Sequence, residues 1–136
     1  MLKQLKEREY LLPLAFFAVL TAVLHYFALV NFLYWNVDWF DILMHFLGGV
    51  TMALLALFVF FTSDYISNFA KLRSDKLVVL FVVLSFTAVI GLGWELWEIF
   101  YGMSSILEDR FDTILDLIMD MLGALVVFLF EFFKKN

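Results

Sequence analysis

Four apolar runs, each long enough to cross a bilayer, leave this chain few ways to fold. They cover about residues 11–30, 40–61, 77–101 and 112–133, and a transmembrane helix needs about 20 predominantly apolar residues. Strands would require a closed barrel and alternating patterning, which these runs lack. Short connections between the runs make successive helices antiparallel neighbours. The reading is an all-α polytopic membrane protein: one transmembrane domain over residues 1–136, an antiparallel four-helix bundle without a sizeable soluble lobe. Hydrophobic residues make up 65% of the chain, more than a soluble domain of this length could hide. With no Cys, neither a disulfide framework nor a thiolate metal site can form. A net charge of −5 argues against a nucleic-acid partner. The natural partner is membrane lipid, and the 18 Phe residues on so small a bundle predict a homo-oligomer.

Basic residues predict the orientation. Lys3, Lys6 and Arg8 precede the first run, Lys71, Arg73 and Lys76 separate the second from the third, and Lys134 and Lys135 follow the fourth. Those eight share one side of the bundle, and Arg110 alone falls on the other. The positive-inside rule puts both termini in the cytoplasm of a cell (plasma or inner) membrane, with connections 31–39 and 102–111 facing outward. Tyr34, Trp35, Trp39, Trp94, Trp97 and Tyr101 gather near that outer boundary, as interfacial anchors do. The first run resembles a signal peptide in its basic flank. It is long, and no small-x-small cleavage site follows, so it reads as a retained helix. Residues 3–10 read as a short interfacial helix.

The outward halves of these helices hold groups that lipid does not tolerate. The second run opens with Asp41 and His45. The third closes with Glu95 and Glu98. The fourth opens with Asp112, Asp116 and Asp120, and the first carries His25 near its outer end. Residues four apart drift by only about 40° around a helix. Asp112, Asp116 and Asp120 therefore form one stripe, and Asp41 and His45 another. Glu95 and Glu98, three apart, share a face. At 1.5 Å per residue, His25, His45, Glu95 and Asp116 fall roughly 5–9 Å inside the boundary, with Asp120 at roughly 12 Å. Gly48-Gly49, Gly91, Gly93 and Gly123 lie beside these positions, where small residues let helices approach closely.

An ionised Asp at mid-bilayer costs roughly 2.5–3.5 kcal/mol even on a mild insertion scale. No Lys or Arg lies in the outer half of any helix, and Arg110 is the one basic residue nearby. The compensating charge must come from protons, from the two His, or from a divalent metal ion. Carboxylates with one or two His are an established bundle metal site. Hard oxygens plus imidazole suit Mg, Mn, Fe or Zn. The metal reading takes His45, Glu95, Asp116 and Asp120 as ligands, Asp41, Glu98 and Asp112 as further ligands or their supports, and His25 and Arg110 as additional candidates. Asp41 and Asp112 stand at helix starts, where Asp also serves as a cap. His25 could instead hydrogen-bond inside the bundle. A proton or cation pathway, or a core of protonated acids, would use the same residues.

The ordered set Asp41-x-x-x-His45-Phe-x-x-Gly, Trp94-Glu95-x-x-Glu98 and Asp112-Thr-x-x-Asp116-Leu-x-x-Asp120-x-x-Gly123-Ala resembles the YjdF-like family of small membrane proteins. It is more distantly similar to VanZ-like proteins, which carry an Asp-x-x-x-His-Phe opening, an intramembrane Glu and an Asp-Leu-x-x-Asn-x-x-Gly-Ala helix. The resemblance spans residues 38–127. Asp120 stands where VanZ-like proteins have Asn, and YjdF-like proteins are usually longer. The resemblance implies a multi-pass membrane protein and a link to the cell envelope, without a defined reaction.

Three functions fit. One is a metal-dependent enzyme acting on a lipid or lipid-linked, phosphate-containing substrate at headgroup depth. The second is a proton or divalent-cation transporter or channel subunit, and the third an accessory protein with a fold-stabilising metal. The polar residues stop near Asp120, which favours a blind pocket over a pathway. The orientation has a direct check: cysteines introduced singly within residues 102–111 should label from outside intact cells. Labelling only after permeabilisation would invert the topology.

Overall fold

The computed structural model describes residues 2–62, 75–101 and 110–133, and among these it is helical almost throughout, with no strand. Helix α1 is Leu2–Val30, α2 Leu33–Asn36 and α3 Asp38–Ala56, which continues into a π-helical segment, Leu57–Thr62. Then come α4, Lys76–Phe100, and α5, Arg110–Phe133. Four stretches are long and apolar enough to cross a membrane: Arg8–Val30, Asp38–Thr62, Lys76–Phe100 and Phe111–Phe133. The molecule is an all-α polytopic membrane bundle.

Local chemistry explains the helix ends. Asp75 caps α4, its carboxylate accepting from the backbone N–H groups of Leu77 and Val78 at 3.0 and 3.3 Å. In the π-helical segment the Thr62 hydroxyl donates to the Leu57 carbonyl five residues back, at 3.1 Å. The expected interfacial helix over residues 3–10 is not separate: α1 runs unbroken from Leu2 and contains Pro13. The Lys, Gln, Glu, Arg and Leu residues ahead of Pro13 are good helix formers with no Gly among them, so nothing interrupts propagation. Part of the expected connection 31–39 is ordered as α2, entered through Phe32 in the left-handed region at φ 57°. Most of connections 62–76 and 102–111, and Lys134 and Lys135, lie outside the described residues.

The second span is the hub. Half of its most apolar window is buried, against 6% for the first span. Helix α3 packs most extensively on α5 and also on α1 and α4, while α1 makes no extended contact with α4 or α5 among the described residues. The α3–α5 contact runs through glycine. A Cβ at Gly49 would overlap the backbone of Asp120, and one at Gly123 would overlap the Phe46 carbonyl. Two backbones thus touch directly at the level of the acidic stripe, as small residues permit.

Two apolar clusters bracket that level. One joins Ala53, Ala56, Leu57, Val79, Val83 and Phe128 at the end where the termini lie. The other joins Ala28, Phe40 and Met44 at the α2 end. At the termini end the Tyr10 hydroxyl donates to the Glu131 carboxylate, linking α1 to α5. Gly49→Ala and Gly123→Ala are expected to lower stability by about 1–3 kcal/mol, the usual cost of overpacking. Gly93→Ala, which would meet nothing within 4 Å, should leave it unchanged. Thermal melting of the three variants in detergent checks this.

Candidate metal centre

The glycine contact places the middle of α3 against the start of α5, and α4 closes the third side. His45 is the centre of what results. Its Nε2 faces three carboxylate oxygens: Asp41 Oδ1 at 3.9 Å, Glu95 Oε1 at 3.8 Å and Asp116 Oδ2 at 3.9 Å. Its Nδ1 faces Asp120 Oδ1 at 3.5 Å. His45, Glu95, Asp116 and Asp120 are all buried, and Asp116 is only 2% exposed. No Lys or Arg among the described residues forms an ion pair with them. Glu95 Oε1, Asp116 Oδ1 and Asp120 Oδ2 are buried without any hydrogen-bond partner.

The distances distinguish two kinds of centre. An N–H···O hydrogen bond spans 2.7–3.2 Å, so Nε2 is too far from all three oxygens to donate to any. Two ligands of one Zn-like ion, each about 2.0–2.2 Å from it, lie at most about 4.0–4.4 Å apart, when they stand on opposite sides of it. The three separations at Nε2 fall inside that limit. One ligand atom each from Asp41, His45 and Asp116 lies within 4.8 Å of the others, a grouping able to hold a metal ion. The donors, carboxylate oxygen and imidazole nitrogen, fit hard or borderline divalent ions. The chain therefore carries a buried Asp/His/Asp group suited to a metal.

The other expected residues take different places. Glu98 is half-buried, and its Oε1 accepts from the Trp94 indole N–H at 2.8 Å. Asp112 is exposed at the start of α5. Both line a cavity of about 690 Å³ that also reaches Asp41, His45 and Asp120. His25 lines this cavity too, but it pairs with Tyr34 (Nδ1 to Oη, 2.7 Å) and meets the Trp94 ring edge-on. No His25 contact with the carboxylates occurs among the described residues. The Arg110 side chain lies outside the described residues.

Several contributors escaped the sequence reading. Tyr34 was read as an interfacial anchor, yet it lines the cavity. Thr21, Thr51 and Thr87 line it at greater depth, one from each of α1, α3 and α4. A lone Thr in an apolar run carries no signal by itself. Glu131, paired with Tyr10, could have been noticed as a carboxylate inside the last apolar run.

A family model described as predicted membrane protein (DUF2238) matches residues 5–136. No curated protein and no solved structure matches the chain.

Tyr34 offers a probe of the cavity mouth from outside the spans. Burial raises its pKa above the ordinary tyrosine value, and the nearby negative charges of Asp41 and Glu98 raise it further. The phenol keeps its hydrogen in the folded protein after it would ionise in the unfolded chain. Its contribution is thus intact below the unfolded value of about 10 and declines as pH rises above it. Melting temperatures measured above that pH should fall for the wild type and fall less for Tyr34→Phe. Parallel curves would show that Tyr34 ionises freely.

Proposed function

We propose that this chain, which belongs to the DUF2238 family of predicted membrane proteins, binds a divalent cation at His45 and acts as a metal-dependent enzyme on a phosphate-containing, membrane-embedded substrate. The observation that carries the reading is the Nε2 face of His45. Three carboxylate oxygens surround it at 3.8–3.9 Å, too long for hydrogen bonds and right for shared coordination. Asp41, His45 and Asp116, whose ligand atoms all lie within 4.8 Å of one another, are the proposed ligands, and Glu95 Oε1, 3.8 Å from Nε2, is a further donor beside them. Asp120, whose Oδ1 faces Nδ1 at 3.5 Å, is placed to close on that nitrogen when metal binds Nε2 and to orient the ring, as carboxylate partners of metal-bound His do. That role differs from the direct ligation expected from the acidic stripe.

A bound divalent ion supplies Lewis acidity toward a phosphoryl oxygen and lowers the pKa of a bound water. The chain's own groups do the rest. Glu98 and Asp112 border the cavity beside the centre, where a carboxylate can accept a proton or hold a second cation. Trp94 and Tyr34 frame the mouth. The apolar cluster of Ala53, Ala56, Leu57 and Val83 lies beyond the cavity's deep end, which supports a closed pocket over a conducting path. The basic residues counted above support an outward-facing site. The motif likeness to YjdF-like proteins supports the same residues, whereas that to VanZ-like proteins rests on the motifs alone.

Elemental analysis and melting of purified protein test the reading together. Wild type should carry metal. Chelator should lower its melting temperature, and Mn²⁺ or Zn²⁺ at about 100 times Kd should restore about 2.7 kcal/mol. Asp116→Asn should abolish this response, and Asp38→Asn, on the exposed first turn of α3, should retain it. Metal should also be lost as pH falls, because the ligands bind only when deprotonated. Metal-free wild type with unchanged melting, matched by Asp116→Asn, would reduce the acids to a protonated core.

A further inference from the structure

The cavity is much longer than a metal site requires. Along α3 its lining runs from Asp41 to Met52, about 16 Å at 1.5 Å per residue. Its character changes along that length. The α2 end is acidic and aromatic, and the deep end carries no charge, bounded by Ala18, Ala22, Met52 and Ile90 with the hydroxyl-bearing Thr21, Thr51 and Thr87. The floor is buried, with Met44, His45 and Thr51 each 7% exposed. The flanks are open: Ala18 and Ala22 on α1 are exposed, and Ile90 on α4 is 41% exposed. Helices α1 and α4 form the two walls and make no extended contact. Their link at the acidic end is the edge-on meeting of His25 with Trp94. The opening lies between two helices that are each long and apolar enough to cross a membrane.

A second observation marks the deep part as a binding surface. Thr87 lines the cavity and is 1% exposed, and its hydroxyl, itself buried, has no hydrogen-bond partner. Across from it, Thr51 donates to the Leu47 carbonyl at 2.8 Å and meets Thr21 at 3.4 Å, so those two are engaged. A buried hydroxyl left unpaired costs about 1–3 kcal/mol. Thr87 lies eight residues below Glu95, about 12 Å along α4.

We infer that the α1–α4 opening is a lateral slot for one chain of a lipid phosphate, with the phosphate at the His45 centre and a polar linkage of the chain accepting from Thr87. This rests on the metal reading for the head and extends it to the tail. Free phosphate would use only the acidic end and would leave the apolar slot and Thr87 unused. A volume of about 690 Å³ lies within the roughly 300–1,000 Å³ common for small-molecule sites.

The test uses the full chain in phosphate-free maltoside detergent with Mn²⁺ present, and bromoalkyl phosphate as a quencher of tryptophan fluorescence. Saturable quenching is expected, reduced in Trp94→Phe, reduced further when Trp35→Phe is added, and not displaced by an equal concentration of inorganic phosphate. Ala22→Leu and, independently, Ala18→Leu should weaken binding by about tenfold while leaving Mn²⁺ affinity and melting unchanged. Thr87→Val should weaken a monoacylglycerol phosphate, which carries an ester, and spare the bromoalkyl phosphate. If both alanine variants bind like wild type, or inorganic phosphate displaces the quencher equally, the slot is wrong and the metal site stands. If Mn²⁺ does not bind the wild type and quenching persists, the metal-held head is wrong.

Discussion

The backbone contact between α3 and α5 is the constraint on which the rest of this molecule depends. Helices with side chains between them pack about 8–10 Å apart. Gly49 and Gly123 remove the intervening atoms, one facing the Asp120 backbone and the other the Phe46 carbonyl. Only at such close approach do His45 and the Asp116–Asp120 stripe meet in one buried layer. The same contact makes the layer costly, because it strips water from carboxylates whose one basic partner among the described residues is His45. Tight packing and unbalanced charge are therefore one feature seen from two sides, and the proposed cation would answer both.

Gly91 extends the argument to the third helix. A Cβ there would run into the Asp120 carboxylate, so the small residue leaves room for the acid that faces Nδ1 of His45. Glycines that look like packing devices in the sequence thus act as spacers for the site. The aromatic residues divide differently. Trp35 and Trp94 have exposed rings at the α2 end but also line the cavity, so an interfacial position and a place in the pocket wall are compatible.

Much of this was legible in the sequence. Run length and the absence of strand patterning gave four spans, and the four-residue spacing of Asp112, Asp116 and Asp120 gave a common face. That reasoning also grouped His45 with Glu95, Asp116 and Asp120, which the structure brings together. Periodicity could not say which nitrogen of His45 each carboxylate would face, because that depends on ring orientation. It ranked Asp41 behind Asp120, yet Asp41 shares the Nε2 face, and Asp120 does not. Several helix ends moved by one or two residues, as where Asp75 caps α4 just ahead of the apolar run, whereas α1 starts at Leu2, well before its run. A blind pocket was expected where the polar residues stop, but its extent and its walls were out of reach. It comes from α1 standing away from α4, an absence of packing that no local pattern encodes.

The order of synthesis gives the central helix a further difficulty. A chain is made from its N-terminus, and its earlier segments fold before later ones exist. The span bearing Asp41 and His45 must enter the bilayer while α5, with Asp116, Asp120 and Gly123, is still unmade. During that interval its small-residue face and its polar side chains have only lipid, interfacial water, α1 or the arriving α4 as neighbours. The first span, with little of its surface buried in the finished bundle, loses almost nothing by waiting, though its Tyr10 also finds Glu131 only at the end. Assembly is thus completed by the last helix rather than built up evenly, and the nascent protein passes through a stage in which its most demanding segment is its least supported.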